Sequence, residues 1–147
     1  MKPTIVLAFA NSFFDPSLHR RLNIDVEHRE LIAILQALDD EGLCQVVPLP
    51  AADCSSVNEA MSNANGSVVG FHFAGHANGL ELMFSATDAA QRDAFAALLG
   101  QQKSLKFVFL NGCSTRGHVE QLFANGVPVV VATEEDIIDE AAIAFAV

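Results

Sequence analysis

Two segments of the sequence carry residues able to do chemistry. In Lys106–Gly117, KFVFLNGCSTRG, an apolar run meets Asn-Gly and then a lone cysteine, Cys113. In Phe71–Gly79, FHFAGHANG, a second apolar run meets a glycine and then His76. A cysteine wanted only for packing would fit inside Phe107–Leu110; on the rim of a glycine turn, a thiol is placed to react. A free thiol, with a pKa near ~8.5, is only a few per cent thiolate at neutral pH and needs activation. A helix start around Ser114–Arg116 would stabilise the thiolate. His76 would shuttle protons, a role worth about 10²–10⁴ in rate. Gly75 and Gly112 would let a substrate carbonyl approach main-chain donors closely. Ala77, Gly112 and Cys113 are the candidate oxyanion-hole positions. On these residues alone, a packed thiol beside an ordinary loop histidine remains an open alternative.

Whether the two side chains can meet depends on the elements that carry them. The pattern alternates strand and helix: strands over Thr4–Ala10, Leu43–Leu49, Ser67–Phe73, Leu105–Leu110 and Val127–Ala132. Helices are expected over Asp25–Leu38, Ser55–Ala64, Asp88–Leu99, Arg116–Ala124 and Ile137–Val147, with a polar loop at 11–23. The first helix repeats Val26, Leu31, Ile34, Leu35 and Leu38 at helical spacing, an apolar stripe. Such alternation predicts an α/β fold: a mostly parallel, doubly wound sheet flanked by helices in three layers. Sites in these sheets form beyond the carboxyl ends of the strands. If the third and fourth strands are neighbours, about 4.8 Å apart, His76 and Cys113 project from one edge.

Composition narrows the setting. The 147 residues suit one domain, with enough buried surface for a core without staples. Apolar residues make up 51% of the chain and mean hydropathy is +0.32, yet no run is long enough to span a bilayer. The opening MKPTIVLAFANS lacks a convincing signal-peptide cleavage site and reads better as a buried first strand. Three cysteines without a CxxC imply no disulfide framework or zinc cage, and a reducing, cytoplasmic location. A net charge of −10, with only eight scattered Lys and Arg, argues against nucleic-acid or anionic-membrane binding.

HFAGHA and FLNGCST, separated by a helix ending in LLGQQKSLK, resemble the CHAT family, caspase-like domains of clan CD often found beside tetratricopeptide repeats. The similarity continues through VEQLFANGVPVVVAT and IIDEAAIAFA, and loosely takes in VLAFANS and EHRELIAIL. The resemblance implies a caspase–hemoglobinase fold and a cysteine endopeptidase, with His76 as general acid/base and Cys113 as nucleophile. No metal or organic cofactor is implied. The implied partners are a polypeptide substrate and regulatory domains or repeat modules, in a bacterial signalling or defence system. Two departures stand out. Ala77 replaces the glycine that follows the histidine in caspases. Asn111 replaces the Asp found two residues before the cysteine in relatives that cut after basic residues. The chain stops at AFAV on an apolar helix face, so the resemblance predicts a domain lacking its C-terminal part. A folded but inactive regulatory or protein-interaction module is therefore the alternative.

Other polar residues have plainer roles to set beside chemical ones. Asn111, Ser114, Glu134, Asp136 and Asp139 are candidates for the substrate pocket. Helix capping is the plainer expectation for Ser114, Thr115 and the acids from Glu134 to Asp139. His72 alternates with Phe71 and Phe73 and reads as a satisfied, partly buried histidine. His72 and His76 lack the helical spacing and intervening Glu of a zinc peptidase. His19 and His28 are expected at the surface. His118, on the helix after Cys113, could approach the site but is expected in solvent. Cys44 is expected in the core, and Cys54 as a neutral thiol near a helix start. Arg116 lies too close to Cys113 for a phosphatase loop. No phosphate-binding glycine loop is present, and AFANS offers none of the acidic cluster that a receiver domain needs.

Overall fold

The computed structural model describes residues 1–10 and 24–147; the expected loop at 11–23, with His19, lies outside the described residues, as does the side chain of Asp139. Five strands form one wholly parallel sheet: β1 (Thr4–Phe9), β2 (Gln45–Leu49), β3 (Val68–Ala74), β7 (Phe107–Asn111) and β8 (Val129–Ala132). Their order is β2-β1-β3-β7-β8. The chain first moves outward to β2, then returns to the far side of β1. The reversal of direction therefore falls between β1 and β3.

Helices cover both faces, as parallel strands require. On one face α2 (Cys54–Asn63), α3 (Arg92–Gly100) and α4 (Val119–Ala124) supply Val57, Met61, Phe95, Leu99 and Leu122 to the larger core. Phe71 meets Phe95, and Phe73 meets Phe84, edge to face at ring separations of 5.3 and 5.5 Å. These aromatic pairs and the apolar area they bury anchor this layer. On the other face α1 (Ile24–Asp40) and α5 (Asp139–Ala146) pack over Leu7, Phe9 and Ala74. Phe145 stacks at 5.3 Å on Phe109 yet stays exposed, as does Val147. The expected three-layer α/β architecture is what the chain adopts.

Three local expectations need correction. The segment after β3 is not all loop. His76–Ala77 form β4, which pairs antiparallel with β5 (Glu81–Met83), and β5 pairs with β6 (Ala89–Gln91). The third helix consequently starts at Arg92 rather than Asp88. Asp88 is held at that hairpin's base, where its carboxylate accepts the Cys54 N–H at 2.8 Å. The helix after Cys113 begins as a 3-10 turn, Thr115–His118, before α4.

The buried stripe of α1 also differs from the apolar one. It runs through Ile24, Glu27 and Leu31, while Ile34 and Leu38 are exposed. Glu27 occupies the stripe because His72 on β3 donates its Nε2–H to the carboxylate at 2.7 Å, with both side chains about 5% exposed. The His72 ring lies between Phe9 and Phe109. It is satisfied as expected, and more deeply buried. His28 is drawn in as well, 4.7 Å from Phe9, rather than left in solvent. Removing one partner of a buried pair strands the other, typically at a cost of ~3–5 kcal/mol. Glu27→Leu is expected to lose about that much in urea unfolding, and combining it with His72→Phe to recover most of the loss.

Candidate active site

β3 and β7 end together. Phe73 is the register partner of Leu110, and Ala74 that of Asn111. His76 and Cys113 each follow two residues later, so neighbouring strands deliver both to one rim. The Gly75 N–H donates to the Asn111 carbonyl at 3.3 Å, extending the pairing into the loops. Gly112 is required by this approach: a Cβ there would lie 2.8 Å from the Gly75 carbonyl oxygen and 2.9 Å from the Ala77 Cβ.

His76 and Cys113 line one cleft at this rim, together with Gly75, Asn111, Gly112 and Glu27. The cleft opens one strand away from the β1/β3 reversal. Its remaining walls are apolar: Ile24 from α1, and Ile137, Ala142 and Ile143 from the C-terminal segment. That segment closes over the site. The Cys113 thiol points to the Ile137 carbonyl at 3.9 Å, and the Asn111 amide nitrogen donates to the Ala142 carbonyl at 3.0 Å. Asn111 is buried, and its Oδ1 has no partner among the described residues. About 30 Å³ of free space remains, room for a water or two.

The turn after Cys113 departs from the expected helix dipole site. Its first N–H groups are already bonded: Ser114 to the Glu135 carbonyl at 3.3 Å, Thr115 to the Thr133 hydroxyl at 3.4 Å, and Arg116 to the Thr133 carbonyl at 2.9 Å. The Cys113 N–H donates to no described residue. Ser114 takes the left-handed conformation, φ +52°, an uncommon choice for a residue with a Cβ. It caps nothing; its hydroxyl donates to Asp136 at 3.2 Å. Thr115 is fully buried, donating to the Leu110 carbonyl at 3.1 Å and meeting the Thr133 hydroxyl at 3.2 Å. Glu134 pairs with Arg116 in solvent. The start of α5 carries no side-chain cap, so the capping expectation fails for Glu134 and Asp136 too. Of the pocket candidates, Asn111 lines the cleft, while Ser114, Glu134 and Asp136 bind the turn to the 133–136 segment beside it.

One residue of the cleft escaped the sequence reading, and the burial of a residue behind it was misjudged. Glu27 lines the cleft; its spacing from Ile24 and Leu31 was the available signal. His118, expected in solvent, is 1% exposed, because the 3-10 turn rotates it inward. Burial holds its imidazole below the ordinary range. Cys54 caps no cleft chemistry: its thiol is pushed up to about 12, first by burial and then by the neighbouring Asp88. Among the described residues no group of three His, Cys, Asp or Glu is placed to hold a metal ion. No helix there is long and apolar enough to cross a membrane.

A solved structure described as pro-sf-caspase-1 superposes on the chain with a TM-score of 0.54 at 13% identity. The fold is caspase-like. The superposition covers 76% of this chain and 45% of the caspase chain, so this chain spans less than half of that protein. No family model matches the sequence, and no curated protein matches it significantly. The likeness to the caspase therefore rests on shape, with little sequence in common.

Proposed function

We propose that this caspase-like domain is a cysteine endopeptidase of the CHAT type. The observation that carries the reading is the shared cleft of His76 and Cys113 beyond register-matched strand ends. The Cys113 thiol gives its proton to His76, and the sulfur attacks the peptide carbonyl carbon, forming a C–S bond as the carbonyl electrons move to oxygen. The oxyanion forms beside the Cys113 N–H, with Gly112 and Ala77 as further candidate donors. Its collapse breaks the C–N bond, and His76 protonates the departing amine. Water, deprotonated by His76, then cleaves the thioester and returns the thiolate. The expected setting is a cytoplasmic bacterial signalling or defence assembly, in which attached repeat modules or partner domains switch the activity.

The closed cleft favours a second reading, an inactive regulatory or interaction module. Ile137 and Ile143 wall the cleft, which leaves only about 30 Å³ free. A panel of peptidyl acyloxymethyl ketones separates the readings. The peptidase should acquire one adduct, mapped to Cys113 and absent in Cys113→Ala. An inert module should be labelled no faster than a denatured-peptide control. Cys44 is buried and Cys54 stays protonated, so neither should compete at neutral pH.

A further inference from the structure

Behind the cleft, the two loops that carry the dyad candidates cross. The hairpin bearing His76 on β4 turns at Asn78–Leu80. The turn that follows Cys113 ends at His118. Asn78 builds the hairpin corner: its Oδ1 accepts from the Leu80 and Glu81 N–H groups at 2.8 and 2.9 Å. Its own N–H donates to the Glu81 carbonyl at 3.0 Å. The main-chain carbonyl of Asn78 accepts from His118 Nε2 at 2.8 Å. A carbonyl only accepts, so the His118 proton resides on Nε2. Beside this bond the two main chains touch: a Cβ on Gly117 would lie 2.5 Å from the Gly79 oxygen. No larger residue fits at position 117 without moving the hairpin.

We infer that His118 is a positioning residue whose Nε2–H bond to Asn78 fixes the His76-bearing hairpin against the Cys113-bearing turn. The inference rests on the peptidase reading and adds to it a residue that touches neither substrate nor sulfur. Strand pairing alone sets the two loops only as far as Gly75 and Asn111. Beyond that point Leu82 and Phe84 seat the middle of the hairpin in the core, and a tilt of its β4 edge and tip would carry the imidazole away from the thiol. The His118–Asn78 bond and the Gly79–Gly117 contact tie the hairpin's far end. A buried imidazole suits the task because it offers a rigid donor without a charge. Burial lowers its pKa, the nearby Arg92 acts in the same direction, and only the bond to Asn78 opposes them.

A double-mutant cycle with His76 tests this, read as the labelling rate of Cys113 by a peptidyl acyloxymethyl ketone. His118→Leu should slow labelling about tenfold or more when His76 is present, since a misplaced catalytic group loses rate steeply. In the His76→Ala background the same change should alter the rate by less than about twofold, because no imidazole remains to position. His118→Gln, whose amide nitrogen reaches as far as Nε2, should restore the rate to within about threefold. Should His118→Leu not fold, His118→Asn replaces it, since its nitrogen falls short of Asn78. Equal slowing in both backgrounds, or none in either, overturns the inference while leaving the dyad standing. Wild type and His76→Ala labelling at one rate would overturn the peptidase reading itself, and this inference with it.

Discussion

His76→Ala is expected to slow peptidyl labelling of Cys113 by about 10²–10⁴-fold, the usual worth of a positioned general acid/base. The residues lining the cleft explain why the loss should be so large. Besides His76, the only titratable groups there among the described residues are Cys113 itself and Glu27, and Glu27 is held by His72 at 2.7 Å. No described residue stands ready to take over the proton. The first N–H groups of the following turn are bonded to Thr133 and Glu135, so the protein offers the thiolate less help from a helix start than the sequence suggests. Activation therefore falls mainly on the imidazole. Mass-spectrometric time courses at neutral pH measure the rate, with iodoacetamide run in parallel. A fall with both reagents marks loss of thiolate formation by the imidazole, because the carboxylate leaving group of the peptidyl reagent departs as an anion and needs no proton. Equal peptidyl rates in wild type and variant are what an inert scaffold would give.

Gly112→Ala is the second change with a large expected effect. The added methyl would lie 2.8 Å from the Gly75 carbonyl oxygen and 2.9 Å from the Ala77 Cβ, closer than atoms in contact allow. The first of these neighbours is main chain, so relief comes only by moving one loop from the other. Overpacking of this kind costs ~1–3 kcal/mol of stability. A displacement of about 1 Å between reacting groups costs about 10²-fold in rate. Labelling by the peptidyl reagent should therefore fall far more than stability does. A denaturation midpoint close to wild type, with labelling unchanged as well, would show that the loops tolerate separation. The thiol and imidazole would then not need the observed approach.

Much of this was written in local pattern. The β-branched and aromatic runs Thr4–Phe9, Val68–Ala74 and Phe107–Asn111 form strands covered on both faces, except at exposed Phe107, and continuous apolarity is what such burial demands. The glycine turns after two of them placed His76 and Cys113 beyond strand ends. A spacing rule sufficed for that, since a parallel strand always ends on the same edge.

Sequence alone supplied the layers, the rim and the two candidate residues upon it. Tertiary structure decided the rest. Strand order made β3 and β7 neighbours, which no local signal states, because pairing is set by crossovers spanning 30 or more residues. It turned Glu27 inward, against its hydrophilic character, by supplying His72 from a strand 45 residues away. It drew His118 out of solvent, because a 3-10 turn advances the chain differently from the α-helix assumed for that segment. It also laid Ile137 and Ile143 over the cleft, a contact that depends on where α5 docks and not on its composition. Periodicity reports which side of an element is buried when apolar residues do the burying. It is silent where a charged or aromatic polar group is buried by a partner distant in sequence, and in this fold those groups surround the site.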